Sequence, residues 1–251
     1  MERRLIELTY KHKLSHLGSC LTALPIIDNI YKTKNANDLF MLSSGHAGLA
    51  LYVILEHYEK RDAEQLLTKY GIHPCYDPDN GIWVSSGSLG SAITVAVGTA
   101  YGNPYKNIHV LLSDGECAEG SVWESLTFAN REKLDNLKVH VNMNGYSAYD
   151  SVDRWNLFWR IKSFYPDANV WFTKNPTTSF MNGLNAHYVR MTEEDKEELL
   201  KMTNENGFCV TPLRCYEQGL QDCVTYCRFG IWCVGQYTKR LYRQVCERWF
   251  Q

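Results

Sequence analysis

Two periods of apolar residues run through the chain, and the changes between them predict the order of its elements. Short apolar runs, which are typical of buried strands, lie in the segments DLFML, NIHVLLS, NLKVHVNMN and ANVWFTK. Apolar residues at helical spacing predict helices before the first of these runs, between the runs and after the last one. The predicted helices include the segment around LIEL, TALPIIDNIY, residues 47–58, RDAEQLLTKY closed by Gly71, SAITVAVGTAYG, residues 121–134 and TEEDKEELLKMTNE. Thr192 and Asp195 have the pattern of a cap and first turn for the last helix.

The predicted strand, helix and strand that follow residue 107 occupy about 35 residues, which indicates a right-handed βαβ crossover with parallel strands. We therefore expect an α/β fold, a three-layer sandwich in which a mostly parallel central sheet is flanked by helices. This domain is predicted to span residues 1–205. Residues 206–251, which hold six of the nine cysteines, are predicted to form a Cys/aromatic-rich helical C-terminal appendage. Its Cys223 and Cys227 have a spacing that allows a zinc site, although buried reduced thiols on an apolar helical face explain them better.

Composition and charge exclude several classes of function. The formal net charge is -2, too small for a field that would attract nucleic acid or an anionic membrane. No run of 18 apolar residues is present, and the first four residues lead into polar sequence, so we expect neither a membrane span nor a signal peptide. The cysteines include no CxxC pair, which favours reduced thiols over disulfides. These features predict a cytoplasmic protein with no nucleic-acid partner and no membrane partner.

Polar residues end two neighbouring predicted strands. Asp114, followed by Gly115 and Glu116, ends one strand, and Asn144 ends the next. Ligands of parallel sheets bind beyond the carboxyl ends of the strands, and neighbouring strands lie about 4.8 Å apart. A carboxylate and an amide oxygen at that separation suit Mg²⁺ or Ca²⁺, with a phosphate at the following helix N-terminus. The same residues also fit a helix cap and an ordinary Asn-Gly turn, and spacing alone leaves both interpretations open.

A wider set of motifs resembles the transketolase family. The segment SDGECAEGSVWESLTFANREKLDNLKVHVNMNGYS is similar to the family's thiamine diphosphate signature, which begins at Gly-Asp-Gly and closes at an Asn after a strand. Segments similar to other family motifs are SHLGSCLTALPIIDNIY, DLFMLSSGHAGLALY, GIHP with SSGSLGSAITVAVG, and TKNPTTSFMNGLNAHYVRMTEEDKEELL. Five ordered segments between residue 11 and about residue 200 make the resemblance specific. It implies the thiamine diphosphate-binding fold.

The resemblance also implies roles for individual residues. The implied metal ligands are Asp114, Asn144 and the backbone carbonyl of Tyr146, and the implied cofactors are thiamine diphosphate and Mg²⁺ (or Ca²⁺). The implied cofactor-binding residues are Gly87, Leu89, Gly90, Asp114, Gly115, Glu116 and Asn144. The implied catalytic residues are His16, His46, His73, His187 and Glu119. The histidines would line the cofactor and sugar channel, where a pKa near neutral pH suits proton transfer, and the glutamate would join a carboxylate network near a subunit interface.

The chain departs from the family pattern in several places. Ser113 replaces the first Gly of Gly-Asp-Gly, Leu17 and Ala47 replace prolines after two motif histidines, and TKNPTT replaces a Lys-Gly-Lys-Gly-type loop. The stretch between Asn144 and Lys174 is short and lacks a Gly-His-Asp segment, so we expect a trimmed strand–helix excursion. Nothing after residue 205 resembles the family's second domain, which holds the aminopyrimidine of the cofactor.

These observations predict the diphosphate-binding subunit of a split transketolase-like enzyme. It would transfer a two-carbon ketol unit between sugar phosphates through metal-bound thiamine diphosphate. A separate pyrimidine-binding subunit would be required, so we expect a chain that is inactive alone and assembles as a hetero-oligomer or dimer. Two alternatives stay open: a non-catalytic, degenerate binding or regulatory module of the same fold, and another thiamine-dependent enzyme of the deoxyxylulose-phosphate-synthase type.

Overall fold

The computed structural model describes residues 1–181, 183–205 and 211–212. The helices in this part of the chain are α1 (Glu2–Lys11), α2 (Leu17–Thr33), α3 (Gly48–Glu59), α4 (Ala63–Tyr70), α5 (Ser91–Gly102), α6 (Gly120–Arg131), α7 (Arg154–Phe164) and α8 (Glu193–Glu205). The strands are β1 (Leu39–Leu42), β2 (Ile108–Ser113), β3 (Leu137–Met143), β4 (Asn169–Phe172) and β5 (Thr211–Pro212). Short 3-10 turns occupy Gly45–Ala47, Pro78–Asn80, Gly115–Ala118 and Gly183–His187. The strands and helices predicted within residues 1–205 are all present, with ends shifted by a few residues.

The strands β1 to β4 form a sheet in the order β1-β2-β3-β4, and each neighbouring pair is parallel. The pairing of β2 with β3 runs from Ile108 opposite Leu137 to Ser113 opposite Asn142. The polar residues that follow β2 and β3 therefore leave the sheet at the same edge, side by side. This arrangement confirms the predicted α/β class with a mostly parallel central sheet.

Side chains alternate along the strands and enter two separate hydrophobic cores, one on each face of the sheet. Leu111 packs in a core shared with α1, α2, α3, α4 and α8. Val110 and Leu112, its neighbours in β2, pack in a core shared with α5, α6 and α7. The helices therefore cover both faces, and the predicted three-layer sandwich is confirmed.

One helix goes beyond the sequence prediction. The helix α7 lies between β3 and β4, where the sequence indicates only a shortened excursion. Its side chains Leu157 and Ile161 are buried, whereas Trp155 and Trp159 are about half exposed. Large apolar residues on both sides of the helix hide its amphipathic period in the sequence. The carboxylate of Asp153 caps the helix by accepting hydrogen bonds from the backbone N–H groups of residues 155 and 156.

The start of α8 has the predicted capping pattern. The backbone N–H of Asp195 donates to Thr192 Oγ1 at 3.2 Å, and the backbone N–H of Thr192 donates to the Asp195 carboxylate at 2.9 Å. No helix among the described residues is long and apolar enough to cross a lipid bilayer. Apart from Thr211 and Pro212, the predicted appendage at 206–251, with Cys223 and Cys227, lies outside the described residues. The domain boundary at residue 205 therefore stays a prediction.

A hydrogen-bonded row of polar side chains crosses the sheet. Trp171 Nε1 donates to His140 Nδ1 at 3.2 Å, and His140 Nε2 lies 3.2 Å from His109 Nδ1. Because an indole N–H is only a donor, neutral His140 carries its proton on Nε2 and donates it to His109. Neutral His109 then carries its proton on Nε2, which lies 3.8 Å from the Asp38 carboxylate. This directed row explains how strands rich in apolar residues accommodate two histidines.

Candidate active site

A pocket lies beside the ends of β2 and β3. Its wall is built from segments that are far apart in the sequence. The predicted site residues in the wall are His46, Leu89, Gly115, Glu116, Asn144, Tyr146 and His187. The fold therefore brings residues from all five motif segments around one cavity, the first segment through Ser19, and the ring of His16 in that segment contacts the rings of His46 and His187.

Three of the predicted histidines form one cluster. The ring centroid of His16 lies 4.5 Å from that of His187 and 5.6 Å from that of His46, and the last two are 5.5 Å apart. The backbone N–H of His16 donates to the carbonyl of His187 at 2.9 Å, which holds the 183–187 turn against the start of α2. His73 is exposed and lies beside Gly87, where a Cβ atom would come within 3.0 Å of its ring.

Burial makes the clustered histidines hard to protonate. Loss of hydration is the largest cause, and it lowers the pKa of His16 to about 4 and that of His46 to about 3. Electrostatic repulsion by neighbouring histidines, among them His187 and His73, lowers both pKa values further. Burial also lowers the pKa of His187. At neutral pH each ring is therefore uncharged, with one donor nitrogen and one acceptor nitrogen.

Asp114 joins the turns that follow two strands. Its Oδ1 accepts a hydrogen bond from the Gly115 N–H at 3.0 Å, and its Oδ2 accepts one from the Gly145 N–H at 2.5 Å. The carboxyl group is buried, and this burial raises its pKa to about 7 although the two N–H groups and the charge of Arg154 act in the opposite direction. Asp114 is thus a cap, as one interpretation of the sequence expected, and it also bridges β2 to the Asn-Gly turn after β3.

The Asn-Gly turn packs closely on the turn after β2. Asn144 Oδ1 accepts the Tyr146 N–H at 2.9 Å, and Gly145 has a φ of 94°, which favours glycine. A Cβ atom on Gly115 would lie 3.0 Å from the Ser147 Cα atom and 3.6 Å from the Tyr146 carbonyl oxygen. Glycine at position 115 therefore lets the two turns approach and leaves backbone exposed to the pocket.

The donor set of these two turns fits a hard divalent cation that is shared with a diphosphate. Asp114 supplies a carboxylate, and Asn144 and Tyr146 supply neutral oxygens from the adjacent turn. Within the described ranges, no group of three or more His, Cys, Asp or Glu side chains is placed to bind a metal. A cation here would consequently depend on one carboxylate, on neutral oxygens and on the phosphate itself, a combination that Mg²⁺ accepts.

Glu116 belongs to the pocket wall, although it is completely buried. Its Oε1 accepts hydrogen bonds from Ser43 Oγ at 2.5 Å and from the Gly90 N–H at 2.8 Å. Its Oε2 has no hydrogen-bond partner among the described residues. Burial raises the pKa of this carboxyl group. Ser113, the replacement for a family glycine, fits the turn because its Oγ accepts the Glu116 N–H at 3.3 Å.

Glu119 lies apart from the pocket. It is exposed, precedes α6 and contacts the loop at Gly90, where a Cβ atom would come within 2.8 Å of the Glu119 Cβ. Ser19 and Ser147 line the pocket, although they are not among the predicted site residues. Ser19 lies in α2, three residues after His16, and Ser147 follows the Asn-Gly turn, but no local pattern distinguishes either serine from one with a structural role.

Matches to known proteins agree with this geometry. A family model described as transketolase, thiamine diphosphate binding domain, matches residues 10–165. The chain is 35% identical over 163 residues to an apulose-4-phosphate transketolase subunit of Phocaeicola vulgatus, covering 57% of each chain. It is 28% identical over 206 residues to a 1-deoxy-D-xylulose-5-phosphate synthase of Fusobacterium nucleatum, covering 80% of this chain and 33% of the relative.

A solved structure shares the fold. The transketolase from Leishmania mexicana superposes with a TM-score of 0.63 at 18% identity, and the match covers 81% of this chain and 40% of that chain. The chain therefore spans 57% of the P. vulgatus relative, and less than half of the other two proteins.

Proposed function

The chain belongs to the transketolase thiamine diphosphate-binding domain family, and from this premise we propose that it is the diphosphate-binding subunit of a split, transketolase-like transferase. In this proposal it transfers a two-carbon ketol unit between sugar phosphates and works with a separate pyrimidine-binding subunit. The observation that carries the proposal is the pocket beside β2 and β3, whose wall includes Gly115 and Asn144, together with the buried Asp114 carboxylate, which joins the turns after both strands. The P. vulgatus relative is named as one subunit of a transketolase, which supports the assignment to a split enzyme.

The cofactor would be held at the edge of the sheet. Asp114, Asn144 and the Tyr146 carbonyl would bind Mg²⁺ (or Ca²⁺), and Gly115 would let the diphosphate approach the backbone. Gly87, Leu89 and Gly90 would shape the rest of the cleft. When bound, thiamine diphosphate supplies the electron sink that is needed to break a carbon–carbon bond beside a ketone.

The clustered histidines would contact the hydroxyl groups of the sugar. Because His16, His46 and His187 are neutral at physiological pH, each would accept a hydrogen bond from a sugar hydroxyl group through one ring nitrogen, and their lowered pKa values make them weaker bases than an ordinary histidine. Because the rings are uncharged, they would bind a phosphate group weakly. The phosphate would therefore need a positively charged group other than these histidines. His73, which is exposed, would contribute to catalysis from the solvent side of the pocket. Glu119, which stands outside the pocket, would act at the contact with another subunit.

A cytoplasmic location is part of the proposal. Cys20, Cys75 and Cys117 are all free thiols, as expected for a reducing compartment. Cys20 and Cys117 are buried, and burial raises the pKa of the Cys20 thiol to about 12, so that it is unreactive.

The proposal is tested by co-purification followed by calorimetry. A tagged chain should retain its pyrimidine-binding partner, and thiamine diphosphate should bind the pair in the presence of Mg²⁺ but not in its absence. Ketol transfer should appear in the mixture only. Transfer by the chain alone would contradict the need for a partner, and a cofactor-loaded pair that transfers nothing would contradict the enzymatic assignment. Sugar-phosphate and 2-oxoacid donors, offered in parallel, would separate ketol transfer from a synthase-type reaction.

A non-catalytic module is the second candidate, and the TKNPTT loop favours it. Asn175 of this loop packs on Gly18, where a Cβ atom would lie 2.6 Å from the Asn175 Nδ2 atom. The Asn175 Oδ1 atom is buried and has no hydrogen-bond partner within the described residues. The altered loop thus lies against the start of α2, close to His16. Cofactor binding by the pair without turnover of any donor would support this candidate.

A further inference from the structure

We infer that Glu116 is a positioning residue: one of its oxygens holds two loops of the pocket against the end of β2, and it does so without touching the cofactor. This role rests on the proposed function, because the pocket it organises is the proposed cofactor pocket. The sequence motifs described above give this role neither to Glu116 nor to Ser43 and Gly90, which donate hydrogen bonds to it. The family resemblance implies instead that Glu116 binds the cofactor directly.

A single oxygen atom connects three segments of the chain. Glu116 follows β2, and its Oε1 accepts from Ser43, which is 73 residues away and follows β1. The same Oε1 accepts from the backbone N–H of Gly90, which is 26 residues away and precedes α5. Ser43 leads into the turn that bears His46, and Gly90 follows Leu89, so both loops that it holds carry residues of the pocket wall.

The backbones of the two loops are in close contact, so the alignment of the loops is sensitive to the hydrogen bonds that Glu116 Oε1 accepts from them. A Cβ atom on Gly45 would lie 2.6 Å from the Gly87 nitrogen and 2.7 Å from the Ser86 carbonyl carbon. Gly90 has a φ of 76°, and its carbonyl accepts a hydrogen bond from Ser121 Oγ at 2.9 Å. Because Gly90 has no side chain of its own, hydrogen bonds to its backbone help to fix the position of the loop.

The burial of Glu116 separates this role from direct cofactor binding. Glu116 is 0% exposed although it belongs to the pocket wall, and its Oε1 already accepts two hydrogen bonds from the protein. Both donors bind Oε1, and Oε2 takes no part in connecting the two loops. An amide carbonyl in the same place accepts the same two hydrogen bonds, so glutamine should replace Glu116. Alanine provides no acceptor, and aspartate is one methylene too short to reach both donors.

The first test needs no cofactor. Hydrogen–deuterium exchange of the chain is measured at the Gly90 amide in wild type, Glu116→Ala, Glu116→Gln and Ser43→Ala. We expect exchange about tenfold faster or more in Glu116→Ala, and within about threefold of wild type in Glu116→Gln and in Ser43→Ala. Glu194→Ala, an exposed change on α8, is the control. Unchanged exchange in Glu116→Ala, or equal loss in Glu116→Gln and Glu116→Ala, would overturn the inference.

The second test measures thiamine diphosphate binding by the complex with its partner in Mg²⁺. Glu116→Ala should weaken binding about tenfold, and Glu116→Gln should restore it. Impaired binding in Glu116→Gln, with a normally protected Gly90 amide, would show that the charge contacts the ligand and would refute the positioning role. If Glu116→Ala does not fold, Glu116→Gln and Glu116→Asp decide, because only the aspartate should expose the Gly90 amide. A wild type that binds no cofactor, with the expected exchange pattern, would reject the proposed function and leave the positioning role intact.

Discussion

Acidification should destabilise the protein through its pocket histidines, and His46 allows the effect to be worked out. Burial lowers the pKa of His46 from 6.5 to about 3. Above pH 6.5 the ring is neutral in the folded and the unfolded states, so the pH has no effect through this group. Below that pH the unfolded chain takes up a proton that the folded protein does not, and the free energy of unfolding falls as the pH falls toward 3. At pH 5, about 1.5 units below the unfolded pKa, the loss is about 2 kcal/mol.

The loss is measured by urea unfolding of wild type and His46→Gln at pH 8 and pH 5. Whatever the substitution costs at pH 8 cancels when each protein is compared with itself at the two pH values. Wild type should lose about 2 kcal/mol more than His46→Gln between pH 8 and pH 5. His57→Gln, an exposed change on α3, is the matched control and should follow wild type. An equal loss in wild type and His46→Gln would refute the claim that the fold keeps His46 neutral.

Three further substitutions test other parts of the structure. Asp114→Asn removes the negative charge and one of the two hydrogen-bond acceptors, so Mg²⁺ should no longer strengthen thiamine diphosphate binding in calorimetry. Circular dichroism checks that the variant is folded, and a retained Mg²⁺ effect would contradict the assigned ligand. Gly45→Ala places a Cβ atom 2.6 Å from the Gly87 nitrogen and should cost about 1–3 kcal/mol in urea unfolding. A neutral result would mean that the two loops are not closely packed. Trp171→Phe removes the N–H that donates to His140 and should cost at least about 1 kcal/mol by the same measurement, whereas no loss would argue against the directed row.

The sheet and the polar edge of the site were predictable because their signals are local. The apolar runs of β2 and β3 are short, strongly hydrophobic and closed by Asp114 and Asn144. The βαβ spacing then requires parallel neighbours, which places both residues at the same edge. The start of α8 was predictable for the same reason, since Thr192 and Asp195 cap the helix through contacts three residues apart.

Other features depend on contacts between distant residues and leave no local signal. The approach of His16 to His187 follows from the packing of the 183–187 turn on α2, and only the family resemblance suggested that these histidines share a channel. The tie from Glu116 to Ser43 spans 73 residues, so no window of sequence reveals it. The helix α7 escaped prediction for a different reason, because its exposed Trp155 and Trp159 blur the contrast between its two faces.

The central claim is that Asp114 and Asn144 hold one cation together at the ends of two adjacent strands. Anomalous diffraction from crystals of the chain and its partner subunit, grown with Mn²⁺ and thiamine diphosphate, tests this claim most directly. We expect one Mn²⁺ peak within coordination distance of the Asp114 carboxylate and of the Asn144 side-chain oxygen, next to the diphosphate. A peak bound elsewhere, or an Asn144 oxygen that still accepts only the Tyr146 N–H while the cofactor is present, would contradict the account.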